Sequence, residues 1–140
     1  MKRLLYIAAL GLSACAVRPP ADRPVLPENQ VCWFQAERLA SDGGTVQTAL
    51  LSIQGESGDR TRWLLADAFG APQARLLLSA QGWQRDGFAP PNRAAQQLFN
   101  KLIPLLKKGF SQPETVEAAT EVWQISPLEP YCPPAVKEQP

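Results

Sequence analysis

Proline placement constrains the folding of this chain more than any other feature. Pro19, Pro20, Pro24 and Pro27 crowd the region before Val31, and Pro127, Pro130, Pro133, Pro134 and Pro140 crowd the region after Ile125. Proline fixes its own φ, has no N–H to donate and favours extended polyproline geometry, so neither end should join a regular element. The foldable stretch lies between them, and Pro90-Pro91 divides it in two. The first part reads as strands and the second as helix followed by strand.

In the first part, Val31 to Leu39 has apolar residues on both faces, and Val46 to Gln54 sets Ala49, Leu51 and Ile53 on one face. Thr61 to Ala66, Gln73 to Ala80 and Trp83 to Phe88 complete five strands. Asp42-Gly43-Gly44, Glu56-Ser57-Gly58-Asp59, Asp67 to Pro72 and Gln81-Gly82 supply the turns. This regular spacing predicts an antiparallel meander. After Pro91, Ala95, Leu98, Phe99, Leu102, Ile103 and Leu106 form a helical stripe, with Asn92 as the cap and Gly109 as the stop. Pro104 is expected to kink or break that helix. Ser111-Gln112-Pro113-Glu114 has the form of a capping box and predicts a short second helix to about Thr120. Glu121 to Ile125 reads as a returning strand.

The chemistry-bearing residues are sparse. The chain has no histidine, which removes the commonest acid–base group and most catalytic triads. Ser41, Ser57 and Ser79 lie outside any nucleophile-elbow pattern, and no phosphate-cradling glycine loop occurs. Asp67 and Asp86 read as solvated turn and strand-edge groups. Trp33, Trp63, Trp83 and Trp123 each fall in a strand, where core packing is expected. The sequence therefore argues against an enzyme, and neither a metal nor a bound cofactor is expected.

Lys2 and Arg3 precede an apolar run from Leu4 to Leu12, and Leu12-Ser13-Ala14-Cys15 closes it. This is the layout of a secretory signal, and it is too short to span a bilayer. Ending on cysteine, it resembles a bacterial lipobox. That resemblance implies a diacylglycerol on the Cys15 thiol, cleavage before Cys15, and an acyl group such as palmitate on the new amine. Ala16, where inner-membrane lipoproteins commonly carry Asp, implies by analogy the periplasmic face of a Gram-negative outer membrane. Removing Lys2 and Arg3 from 14 basic side chains leaves 12 against 13 acidic, too weak a field to recruit nucleic acid. Cys32 and Cys132 remain. In an oxidising compartment they should pair, closing a loop of about 100 residues that the chain-entropy model values at about 4–5 kcal/mol. The chain thus divides into a lipoprotein signal peptide (1–14), an acylated cysteine with a proline-rich tether (15–30), a folded domain (31–132) and a flexible tail (133–140).

Asp59 to Leu78, DRTRWLLADAFGAPQARLLL, resembles the LolA/LolB lipoprotein-handling superfamily, LolB most closely. Arg60, Arg62, Trp63, Leu64 and Leu65 stand for the family's Arg-x-Arg-apolar strand. Asp67-Ala68-Phe69-Gly70 occupies the place of its Asn-Pro-Leu-Gly turn, and Leu76, Leu77 and Leu78 that of the following strand. Gln81-Gly82-Trp83 and Leu102-Ile103-Pro104-Leu105 fit the same order more loosely. The resemblance implies an α+β fold, a strongly curved antiparallel sheet forming an incomplete barrel and covered by one or two helices. It implies an apolar concave face for acyl chains, with Trp63, Leu65, Leu76 and Leu78 as lipid-facing candidates. It also implies a membrane-insertion loop at Phe69 and Gly70. Two placements of Phe69 are compatible with the sequence: exposed at the tip, or folded back under the helix. The family carries more strands after its helices than the single clear one here, so a shortened barrel is expected. Two functions follow. One is an outer-membrane lipoprotein that binds the acyl chains of lipids or lipoproteins and aids their transfer or insertion. The other is a non-catalytic accessory lipoprotein whose partner is an envelope protein in an assembly or secretion complex.

Overall fold

Glycine-bearing turns fold the chain back on itself every ten or so residues, and the strands pair in the order in which they are made. The computed structural model describes residues 23–129 and Cys132. Its elements are β1 (Val31–Leu39), β2 (Thr45–Glu56), β3 (Arg60–Asp67), β4 (Pro72–Ser79), β5 (Gly82–Arg85), α1 (Arg93–Lys108), β6 (Glu114–Ala118) and β7 (Glu121–Pro127). Among the described residues they build one seven-stranded antiparallel sheet, ordered β5-β4-β3-β2-β1-β7-β6. The first five strands are the expected meander. α1 then crosses the sheet and delivers β6 and β7 to the far side of β1. The result is an α+β fold, a curved half-barrel around a single helix.

Register decides which residues face the helix. Phe34, Leu51, Leu65 and Ala74 lie side by side across β1 to β4, as do Cys32, Ile53, Trp63 and Leu76. Opposite them, Ala95, Leu98, Phe99, Leu102, Ile103 and Leu106 are the buried stripe of α1. Ring packing fastens the two layers. Trp63 meets Phe99 at 5.3 Å and Trp83 at 5.4 Å between centroids, and Phe34 meets Phe110 at 5.0 Å. The Trp63 indole donates to the Thr61 hydroxyl at 2.9 Å, and the Trp83 indole to the Asn100 side-chain oxygen at 2.7 Å. Cys32 and Cys132 are joined by a disulfide with Cα atoms 5.7 Å apart. Beside it, Phe110 and Cys132 exchange backbone hydrogen bonds.

The path of the chain departs from expectation in four places. The segment read as a second helix is strand β6, pairing Val116 with Trp123 and Ala118 with Glu121. Thr115 and Val116 are β-branched, and the β7 ladder satisfies their backbone while burying Ala118, which an isolated turn of helix could not do. Pro104 does not break α1. It stands on the exposed face near the C-terminal end, where the bond it forfeits is to the Asn100 carbonyl. β5 stops at Arg85, because Asp86 turns toward Arg62 and Arg75. Finally, part of the segment read as tether lies against the sheet. Pro24 and Leu26 are buried, Asn29 N–H donates to the Gly55 carbonyl at 2.9 Å, and Gly55 N–H to the Gln30 carbonyl at 2.8 Å.

Gly55 is what lets that segment dock. A Cβ there would fall 2.0 Å from the Pro27 carbonyl oxygen and 2.6 Å from that of Leu26, and both are backbone atoms without a rotamer to yield. Gly55→Ala is expected to lift residues 24–30 off the sheet and expose Leu26, lowering stability by about 2 kcal/mol. Urea unfolding would read the loss, and limited proteolysis should find new cleavage sites before Val31.

Candidate functional site

The β3–β4 turn is organised by one carboxylate. Asp67 Oδ1 accepts from the Phe69 and Ala71 N–H groups, both at 2.9 Å, and Oδ2 accepts from the Gln73 amide at 3.4 Å. The backbone closes the same turn, with Gly70 N–H donating to the Asp67 carbonyl at 3.0 Å and Asp67 N–H to the Ala71 carbonyl at 2.9 Å. An Asx turn followed by a glycine of positive φ, 83° at Gly70, fixes the path of the chain without any help from Phe69. Phe69 is left 97% exposed. Of the two placements open from sequence, the structure has the exposed one.

The turn stands between two clefts. On the sheet face away from α1, a cavity of about 310 Å³ lies beside it, lined chiefly by Leu50, Leu128, Ala68 and Gly70, with Gln35 and Thr48 on the wall. On the helix side a second cleft of about 200 Å³ opens between the start of α1 and the sheet, with Leu65, Ala95 and Trp123 below and Gln73, Asn92 and Glu121 around it. The first is at the lower end of the range for small-ligand pockets, and the second is below it. Trp33, half-exposed at 36%, also stands on the helix-free face, beside Ser52. It is therefore not the core residue expected of a strand tryptophan.

The remaining residues singled out from sequence divide by position. Trp63, Leu65 and Leu78 are buried and Leu76 is half-buried; all pack in the layer between sheet and helix, where Phe99 and Trp83 share the space. Phe69 and Gly70 lie at the end of the sheet and take no part in that layer. Cys15 and the lipobox fall outside the described residues. Among the described residues no helix is long and apolar enough to cross a membrane, and no cluster of three potential ligands could hold a metal.

Sequence reasoning missed the role of Asp67 and the contributions of Leu50 and Leu128 to the outer cleft. Asp at the head of a turn is a readable signal for the first. The second depends on where β7 lands, which no local pattern encodes. It also missed that Phe88, read as the end of a strand, is fully exposed on the β5–α1 loop; Asp86-Gly87 was the turn signal. That loop is anchored by Asp86, whose Oδ2 accepts from Arg62 Nε at 2.7 Å and Arg75 Nε at 2.8 Å, while Arg62 also pairs with Glu56. Partial burial works to raise the Asp86 pKa, but the hydrogen bonds and charges of Arg75 and Arg62 outweigh it and hold the carboxyl below its ordinary 3.8.

No family model, curated protein or solved structure matches the chain.

Two predictions follow from these anchors. Asp67→Ala should lower stability by about 1 kcal/mol and speed amide exchange at Phe69 and Ala71, whereas Asp67→Asn, which keeps an acceptor oxygen, should retain most of the protection. A carboxylate with a depressed folded pKa contributes stability above its unfolded value, and that contribution is lost as pH falls through the folded one. Stability contributed by Asp86 should therefore be complete above about pH 4 and fade below it. NMR titration of the Asp86 carboxyl should give a midpoint under 3.8, and Asp86→Asn should remove that part of the acid dependence.

Proposed function

We propose that this chain is a LolB-like, acyl-anchored lipoprotein of the outer membrane that engages the acyl chains of lipids or lipoproteins at the β3–β4 end of its sheet and aids their transfer or insertion. The observation that carries the reading is Phe69, 97% exposed on a turn that Asp67 holds in place, next to an apolar cleft of about 310 Å³. A bulky aromatic ring on a preorganised tip loses little by entering a bilayer interface, because the turn is already ordered. The α+β half-barrel is compatible with the LolB-like resemblance, and the Asp67-Ala68-Phe69-Gly70 turn occupies the family's insertion position. In this reading the outer cleft receives the end of an acyl chain, since Trp63, Phe99 and Trp83 fill the space beneath α1.

The filled inner layer also favours a second reading, an accessory lipoprotein that binds an envelope protein and carries no lipid. Stable co-purification with a single protein, without bound lipid, is its signature.

Phe69→Glu separates the two. The side chain is exposed, so thermal unfolding should be unchanged within about 0.5 kcal/mol. Vesicle binding and acyl-cargo transfer should fall by about tenfold or more, the equivalent of losing a buried phenylalanine. Unaltered transfer by the variant would remove Phe69 from the mechanism.

A further inference from the structure

We infer that Phe88 is a second insertion point, and that Phe69 and Phe88 together form a two-pronged contact for an anionic phospholipid bilayer. The inference rests on the reading of Phe69 as a membrane contact.

Phe88 is 104% exposed, and Phe69 and Phe88 are the only phenylalanines among the exposed large apolar side chains of the described residues. They share a local plan. In Asp67-Ala68-Phe69-Gly70 and in Asp86-Gly87-Phe88-Ala89 an anchored carboxylate stands two residues before the ring. Asp67 binds the backbone of its own turn. Asp86 is clamped by Arg62 and Arg75. Further bonds tie the second loop down on either side of Phe88. Asp86 N–H donates to the Arg75 carbonyl at 3.3 Å, Arg85 to the Ala89 carbonyl at 3.3 Å, and the Asn92 side chain to the Gln73 carbonyl at 3.1 Å.

The same strand carries both loops. β4 begins one residue after the Phe69 turn, its Gln73 side chain reaches Asp67, and the Gln73 and Arg75 carbonyls receive the Phe88 loop. The anchors of the two loops therefore run along β3 and β4 over about 17 Å of strand, from Asp67 and Gln73 at the β3–β4 end to Arg75 and Arg62 in the middle of the sheet. Single exposed apolar side chains are ordinary on a protein surface. Two unshielded aromatic rings on neighbouring, tied-down loops form a discontinuous apolar tip, which suits penetration between headgroups.

The charges point to the lipid class. The carboxylates near the tip are largely offset by cations, since Arg62 and Arg75 pair with Glu56 and Asp86 and Arg38 pairs with Glu121, while Asp67, bonded to neutral donors of its own turn, keeps its single negative charge. Arg85 and Arg93 flank the Phe88 loop and are exposed. Arginines beside interfacial aromatics attract anionic headgroups.

The core of the described residues and the disulfide lie within residues 23–132, so the chain from Ala16 to Pro140, exported to an oxidising compartment, keeps every described contact while lacking the acyl group. Its flotation with vesicles of phosphatidylethanolamine and phosphatidylglycerol tests the inference. Phe88→Ser should lower the bound fraction by about 5- to 20-fold, as Phe69→Ser should, and the double variant by about the product. If Phe69→Ser lowers binding and Phe88→Ser does not, the second prong is overturned and the Phe69 reading stands. If the unsubstituted chain does not bind, both fall. Arg93→Gln should weaken binding to these vesicles by about 5-fold and leave binding to pure phosphatidylcholine unchanged; equal effects on both would overturn the anionic assignment. Capture of a protein partner that depends on Phe88, without vesicle binding, would also overturn the inference.

Discussion

The structure depends on one mismatch of dimensions. Seven strands spaced about 4.8 Å apart make a sheet some 29 Å wide, whereas a helix with its side chains is about 10 Å across. A single helix covers such a sheet only if the sheet curls around it. α1 presents a continuous apolar stripe of six buried residues to the concave face, and the widest contacts are made by rings: Phe99 against Trp63 and Trp83, and Phe110 against Phe34. Large rings reach from the helix, and from Phe110 just past its end, to strands that smaller side chains would leave uncovered. The curl that buries one face leaves the other without a second layer. That is why Trp33 and Leu50, which a sandwich would bury, stand partly in solvent.

The same geometry makes the two ends of the sheet unequal. At the β2–β3 end, residues 24–30 fold over Gly55, and Arg23 donates to the Asp59 carbonyl at 3.3 Å. At the β3–β4 end the Phe69 turn is held by Asp67, and on the β5 edge the Phe88 loop is held by Asp86, and both leave their aromatic rings in solvent. Packing governs the first end. At the second, polar bonds fix the backbone and leave the apolar side chains unused by the fold.

Much of this was legible in the residues. The five-strand meander could be read because each turn has its own glycine and each strand its own alternation, all within a dozen residues. The α1 stripe could be read because helical periodicity is likewise local. β6 could not. Ser111-Gln112-Pro113-Glu114 carries a sound local signal for a helix start, and it is overruled by pairing with β7, whose position is set by the path of α1 over the sheet. Residues 24–30 were misread for a related reason: their prolines do predict an extended chain, but not that Gly55 leaves room for it. The site was legible in part. The turn, its glycine and its aromatic residue were visible, but whether Phe69 faced inward or outward depended on hydrogen bonds to Asp67 that a pattern of residue types does not reveal.

The placement of the two ends constrains how an acyl anchor and an aromatic tip could serve one protein. In the proposed reading, lipid is attached at Cys15 and the chain enters the described domain at Arg23, at the β2–β3 end. Even fully extended, the segment between them reaches at most about 29 Å. β3, with 8 residues, is itself about 26 Å long, and the Phe69 turn projects beyond it. A domain standing on its aromatic tip would hold Arg23 at nearly the full reach of that segment. The anchor and the tip reach one membrane together with slack in the chain when the sheet lies along the surface. That pose turns one broad side of the half-barrel toward the lipid. The helix-free side, with Trp33, Leu50 and the 310 Å³ cleft, is the apolar candidate. A domain resting on its β2–β3 end would instead hold Phe69 and Phe88 away from the membrane that carries the acyl group, aimed at a cargo or a second surface. The pose of the domain, within the reach of the tether, then decides which apolar phase the rings meet.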